Sequence, residues 1–128
     1  MTSVLPLSQA QGLPGVKKAK RHKYNAKPVI VDGRRFDSTL EGKFYASLKL
    51  RERAGEVQGL ACQREYKIIV NGKHVRSYFA DFTFWDTRED RFRVIDVKGK
   101  DTPLSKFKRD LVEAIYGVRI EIVGKGGA

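Results

Sequence analysis

The stretch from Tyr78 to Lys98 limits the fold more than any other part of the chain. It reads as two apolar strands joined by a short charged turn, and each strand carries an aspartate where an apolar residue would be expected. Strict alternation puts Phe79, Asp81, Thr83 and Trp85 on one face of the first strand, and Phe92, Val94, Asp96 and Lys98 on one face of the second. Pairing Asp86 with Arg91 around a loop of Thr87 to Asp90 then sets Asp81 opposite Asp96. Opposed carboxylates, with Cβ atoms about 4.5 to 5.5 Å apart, repel one another and weaken a sheet unless something neutralises them. A divalent cation would do so. The inference depends on register, because a one-residue slip turns the two acids to opposite faces.

The 128 residues are enough for one domain with a real core, and 41% of them are hydrophobic. A net charge of +11 points to a polyanionic partner, nucleic acid ahead of an anionic membrane surface. No apolar run is long enough for a spanning helix, and the first residues lack the pattern of a signal peptide, so a cytoplasmic location is expected. Cys62 alone can form no internal disulfide. With only His22 and His74 beside it, there is no zinc constellation and little material for a Cys-His or Ser-His triad. Any metal would be held by oxygens.

Residues 1–27 read as a basic arm, with Lys17, Lys18, Lys20, Arg21 and Lys23 placed to follow phosphates. A single domain is expected over 28–123, with a Gly-rich tail at 124–128. Val29 to Phe36 forms a hairpin around Asp32-Gly33, a pair that supplies the two positive φ values of a type I′ turn. Ser38-Thr39-Leu40-Glu41 is a capping box opening a helix that buries Leu40, Phe44 and Leu48 and ends at Gly55. Glu41 then has two readings: its side chain reaches back to the Ser38 amide, or it faces the aspartate pair as a third carboxylate. A second hairpin runs from Cys62 to Val75 around Asn71-Gly72. After Gly99, Thr102 and Pro103 open a helix with a buried stripe of Leu104, Phe107, Leu111 and Ile115; Lys106, Lys108 and Arg109 fall mostly on its other side. Gly117 closes it, and Val118, Ile120 and Ile122 alternate in a last strand. The fold class is α/β in the broad sense, an α+β mixed sheet in the order hairpin, helix, three-stranded antiparallel meander, helix, strand.

Asp96-Val97-Lys98 ends the central strand with both charged side chains on one face. As a pattern it is weak, since Glu41-Gly42-Lys43 and Glu65-Tyr66-Lys67 have the same form. Its context sets it apart: an apolar strand before it, a chain-reversing Gly99 after it, and Asp81 across the hairpin.

The order Glu41, Asp81, Asp96-Val97-Lys98, followed by a helix and a strand, resembles the PD-(D/E)xK nuclease superfamily, to which restriction endonucleases and Holliday junction resolvases belong. The words DGRRFDSTLEGKFYASL, YFADFTFW and VIDVKGKDTPLSKFKRDL also look like small phage-encoded proteins of this superfamily. Ala80 stands where the name-giving proline would be, and Asp96 replaces the commoner glutamate. The resemblance implies a restriction-endonuclease-like core. It further implies that Asp81 and Asp96 hold Mg²⁺, for which Mn²⁺ can substitute, with the Val97 carbonyl as a further ligand. Glu41 would take a second ion or a metal-bound water, and Lys98 would contact the attacking water or the scissile phosphate. Two neighbouring carboxylates favour a charged Lys98, so it is read as an electrostatic stabiliser rather than a base. Lys100, Thr102, Lys106, Lys108 and Arg109 could meet a flanking phosphate, while Trp85 reads as core. The expectation is a Mg²⁺-dependent endonuclease of DNA, acting on branched or junction substrates; two symmetric cuts would imply a homodimer. The rival is a non-catalytic basic nucleic-acid-binding module, and a third reading is an RNA-binding protein of the ribosomal kind.

Overall fold

The computed structural model describes residues 27–124. The arm residues Lys17, Lys18, Lys20, Arg21 and Lys23 and all but the first residue of the tail lie outside them. Two dipeptides set the local turns. Asp32 and Gly33 have φ values of 54° and 76°, and Asn71 and Gly72 have 52° and 81°, so both pairs make the type I′ geometry that closes a tight hairpin. The first joins β1 (Val29–Val31) to β2 (Arg34–Phe36) in a separate two-stranded sheet. The second joins the long strands β3 (Val57–Val70) and β4 (Lys73–Asp86). β5 (Arg91–Val97) returns antiparallel to β4 with Asp86 opposite Arg91 and Phe82 opposite Ile95, the register read from the sequence. β6 (Ile120–Val123) lies parallel to β5, giving a mixed sheet in the order β3-β4-β5-β6. The parallel step needs a crossover, and α2 (Pro103–Tyr116) supplies it; α1 (Thr39–Arg53) precedes the sheet.

β3 begins at Val57, earlier than the expected Cys62. A register shift between Gln58 and Ala61, with Gly59 at φ 64°, lets the chain continue pairing past an irregularity that reads as a break in the sequence.

The sheet is covered on both sides. Phe36, Tyr45, Leu48, Val57, Phe82, Phe84, Ile95 and Val123 form one cluster, to which α1 contributes. Tyr66, Ile68, Tyr78, Ala80, Val94, Val112 and Ile120 form the other, to which α2 contributes. Strict alternation along β4 therefore fails. Tyr78 and Ala80 belong to one cluster while Phe82 and Phe84 belong to the other, and on β3 Cys62 packs on the first while Tyr66 and Ile68 sit in the second. The change falls at Gln63 and Asp81, and Gln63 has a left-handed φ of 56°.

α1 packs on the expected side, with Gly42 and Tyr45 added to it, whereas α2 is rotated. α1 buries Gly42, Tyr45 and Leu48; Phe44 stacks on Phe82 from the edge of that face, and Leu40 is half-buried. On α2, Leu104, Phe107 and Ile115 are 57%, 60% and 44% exposed; of the expected stripe Leu111 packs on the second cluster, and the buried residues are Arg109 and Val112. Polar contacts decide that rotation. Arg109 pairs with Asp101, Tyr116 donates to the Lys67 carbonyl, and Glu113 accepts the Ile120 amide. On β6, Ile120 and Val123 are buried, one in each cluster, while Ile122 faces out. Trp85, read as core, is partly exposed. Among the described residues no helix is long and apolar enough to cross a membrane.

Gly42 sets how closely α1 approaches the β1-β2 hairpin. A Cβ there would stand 2.5 Å from Val29 Cγ2 and 3.3 Å from Val31 Cγ2. Helix propensity alone favours Gly42→Ala by about 1 kcal/mol, whereas overpacking costs about 1–3 kcal/mol. The expected outcome is a net loss of roughly 1 kcal/mol in urea denaturation. A more stable variant would show that the hairpin yields.

Candidate active site

The β4-β5 ladder ends at Phe82 and Ile95. Beyond that point β4 stays with β3, whereas β5 stays with β6 through Asp96 opposite Ile122 and Val97 opposite Val123. The sheet forks, and Asp81 stands at the fork. Its Oδ2 accepts the Val97 amide at 2.7 Å, so a side chain replaces the backbone partner that the parted strand no longer provides. Asp81 and Asp96 therefore come together, but across the mouth of a fork and not as a flat cross-strand pair.

Asp96 is 3% exposed and its Oδ2 gathers positive and donor groups. The Tyr78 hydroxyl donates to it, Lys98 Nζ lies at 3.7 Å, and Arg109 Nη1 lies at 3.9 Å. Lys98 also donates to Ser105 Oγ at 3.4 Å, which spans the gap to the first turn of α2. Burial and the bond to Asp96 push the Tyr78 hydroxyl up, so Tyr78 remains a donor.

Glu41 reaches the same place from α1. Ser38 caps that helix by accepting the Glu41 amide at 3.1 Å, but the reciprocal half of the capping box is absent among the described contacts. The Glu41 carboxylate accepts instead from the Gln63 amide at 3.4 Å, and the same Nε2 donates to Asp81 Oδ1 at 3.0 Å. Burial, with Asp37 and Asp96 as like charges, pushes Glu41 up to about 7, against a smaller pull from Lys98. Burial, Glu41 and Asp96 push Asp81 up to about 8, although the Val97 amide favours its charged form.

The other expected contacts separate. Lys106 pairs with Asp110 on the exposed side of α2 at 3.3 Å, and Lys108 is half-buried. Thr102 is committed to capping, since its Oγ1 accepts the Ser105 amide. Lys100 is exposed near the end of β5. Arg109, expected on a solvated face, is 7% exposed with its guanidinium bonded to Asp101 at 2.6 and 3.0 Å. It serves the interior of the site, not its rim. Tyr78, Gln63 and Ser105 were not singled out from the sequence. The alternation of Tyr78 with other aromatics marks it as core, and no pattern marks the other two.

Among the described residues no group of three or more His, Cys, Asp and Glu side chains is gathered closely enough to hold an ion by itself. Mg²⁺ asks for less: one or two carboxylates, retained waters and substrate phosphate. Asp81 and Asp96 meet that smaller requirement, all donors being oxygen. Val97 gives its amide to Asp81, and in an extended strand its carbonyl lies on the same edge.

A family model described as Protein of unknown function (DUF1064) matches residues 21–125. No curated protein and no solved structure matches the chain.

The raised carboxyls make stability depend on pH. The folded chain keeps protons on Glu41 and Asp81 that an unfolded chain, with carboxyls near 4, has already released. Their contribution is therefore best below about pH 4 and declines as pH rises towards about 8. Asp81→Asn should flatten this decline and add on the order of 1 kcal/mol at pH 8. Urea denaturation at a series of pH values checks it, and parallel curves for the two proteins would reject it.

Proposed function

We propose that this chain, which belongs to the DUF1064 family, is a metal-dependent endonuclease that hydrolyses DNA phosphodiester bonds on a restriction-endonuclease-like core. The observation that carries the reading is the convergence of Glu41, Asp81, Asp96 and Lys98 at the fork between β4 and β5. The net charge of +11 supplies attraction for the polyanion.

Asp81, Asp96 and the Val97 carbonyl would hold Mg²⁺, with Glu41 completing the acidic side. When bound, the ion supplies a low-pKa water and neutralises charge developing on phosphate. The chain's own groups do the rest. Tyr78 ties down Asp96 Oδ2, which orients the carboxylate. Lys98, held between Asp96 and Ser105, presents an ammonium where negative charge on phosphate would develop. Arg109 braces Asp101 and Asp96 from α2 and keeps that side of the site positive. Lys100, Lys106 and Lys108 would meet flanking phosphates, with the basic arm adding salt-dependent affinity. The likeness to resolvases favours branched or four-way-junction DNA, where two symmetric cuts would call for a homodimer.

The test is cleavage of duplex, single-stranded, flap and four-way-junction DNA at low salt with Mg²⁺ or Mn²⁺. Cleavage should stop in chelator. Lys98→Ala should lose about 10²–10³ in rate and Asp96→Ala at least as much, both still binding DNA. Binding without nicking of any substrate, with either ion, would reject the enzyme in favour of a nucleic-acid-binding module.

A further inference from the structure

Gln63 sits in a conformation that the fold alone does not favour. Its φ of 56° is left-handed, a region that glycine and asparagine enter far more readily than glutamine, and the residue is exposed rather than packed. For turning β3 at this point glycine would serve better. What glutamine adds is an amide long enough to reach 3.0 Å from Asp81 Oδ1 and 3.4 Å from Glu41 Oε2. Those acids come from β4 and α1, and among the described residues Gln63 is the side chain hydrogen-bonded to both. A lysine or arginine there would also bind them, but it would cancel the negative charge that attracts a cation. A neutral amide joins the acids and leaves that charge in place. A local conformational cost beside the acids, with a contact that offsets it, is the pattern of a residue retained for function.

We propose that Gln63 is a positioning residue, whose amide holds Glu41 beside Asp81 so that the third carboxylate takes part in cation binding. The proposal rests on the metal-dependent reading above and extends it to a residue outside the acid-x-Lys pattern. Groups that orient metal ligands typically change affinity by about 10–100-fold when removed.

The experiment is Mn²⁺ titration by calorimetry without DNA, on the wild type, Gln63→Gly, Glu41→Gln and the double variant. Gln63→Gly suits the left-handed φ and should unfold at the same temperature as the wild type or higher in the absence of ion, so a loss of affinity does not reflect a damaged fold. It should bind Mn²⁺ about tenfold more weakly or worse. In the Glu41→Gln background the same change should have less than a threefold effect, because the residue acts through Glu41. Cleavage by Gln63→Gly should fall at limiting Mn²⁺ and recover at saturating Mn²⁺, a rescue that a structural defect would not give. If Gln63→Gly fails to fold, Gln63→Asn, which tolerates the φ but has a shorter side chain, should show the same weakening. Wild-type affinity in a folded variant, or equal losses with and without Glu41, overturns the role of Gln63 while leaving the nuclease reading standing. No Mn²⁺ binding by the wild type overturns the role of Gln63, and if the DNA panel shows no metal-dependent cleavage either, the nuclease reading falls with it.

Discussion

Asp86 is the residue on which the geometry of the sheet depends. It is 1% exposed, and burying a lone carboxylate would be prohibitive. Here it accepts from Arg51 of α1 at 3.1 Å, from Arg93 of β5 at 2.9 Å, and from the amides of Arg88 and Glu89 in the turn. Burial pushes its carboxyl up, but these donors together hold it well below the usual carboxylate range. Arg93 continues to Glu121 of β6 at 2.6 Å, so one network ties α1, β4, β5 and β6. Its consequence is register. With Asp86 fixed opposite Arg91, Asp81 can only arrive beside Asp96.

The two ends of this part of β4 carry the same residue type in opposite surroundings. Asp86 is ringed by guanidiniums and amides and favours its charged form, whereas Asp81 is ringed by acids and resists it. The first stabilises the fold at neutral pH. The second is a cost that the fold tolerates, and on the proposed reading a bound cation would relieve it. The well-satisfied end holds the unsatisfied end in place, so the cost at the fork is not relieved by a slip of the strands.

Much of this was legible in the sequence. Asp-Gly and Asn-Gly fixed two turns, Ser38 and Thr102 fixed two helix starts, and the turn after Asp86 fixed the pairing of the acids. Gln63 was not legible for a definite reason. The register shift between Ile68 and Ile69 brings Arg64 opposite Ala80, which leaves Gln63 level with Asp81. Counting back from the Asn71-Gly72 turn without that bulge pairs Gln63 with Ala80 instead. The rotation of α2 was hidden for another reason. Its apolar residues do repeat at helical spacing, but the pull of Asp101 and Asp96 on Arg109 outweighs that stripe. Periodicity locates a helix more securely than it locates the face that packs.

The distribution of charge across the fork gives the site a direction. Lys98, Arg109 and the Tyr78 hydroxyl all approach Asp96 Oδ2, from the residue after β5, from α2 and from β4. Among the described hydrogen bonds Glu41 and Asp81 receive neutral donors, the Gln63 side chain and the Val97 amide. On the proposed reading a cation would be drawn to the α1 side, where among the described hydrogen bonds the acids meet no charged donor. On the same reading a phosphate would be received on the α2 side, where the ammonium and guanidinium lie. On the proposed reading both halves of that division are needed, since the ion must meet carboxylates and substrate together. Asp96 is where they meet: its Oδ2 is held by the basic side, and its charge acts on Glu41 and Asp81 across the fork.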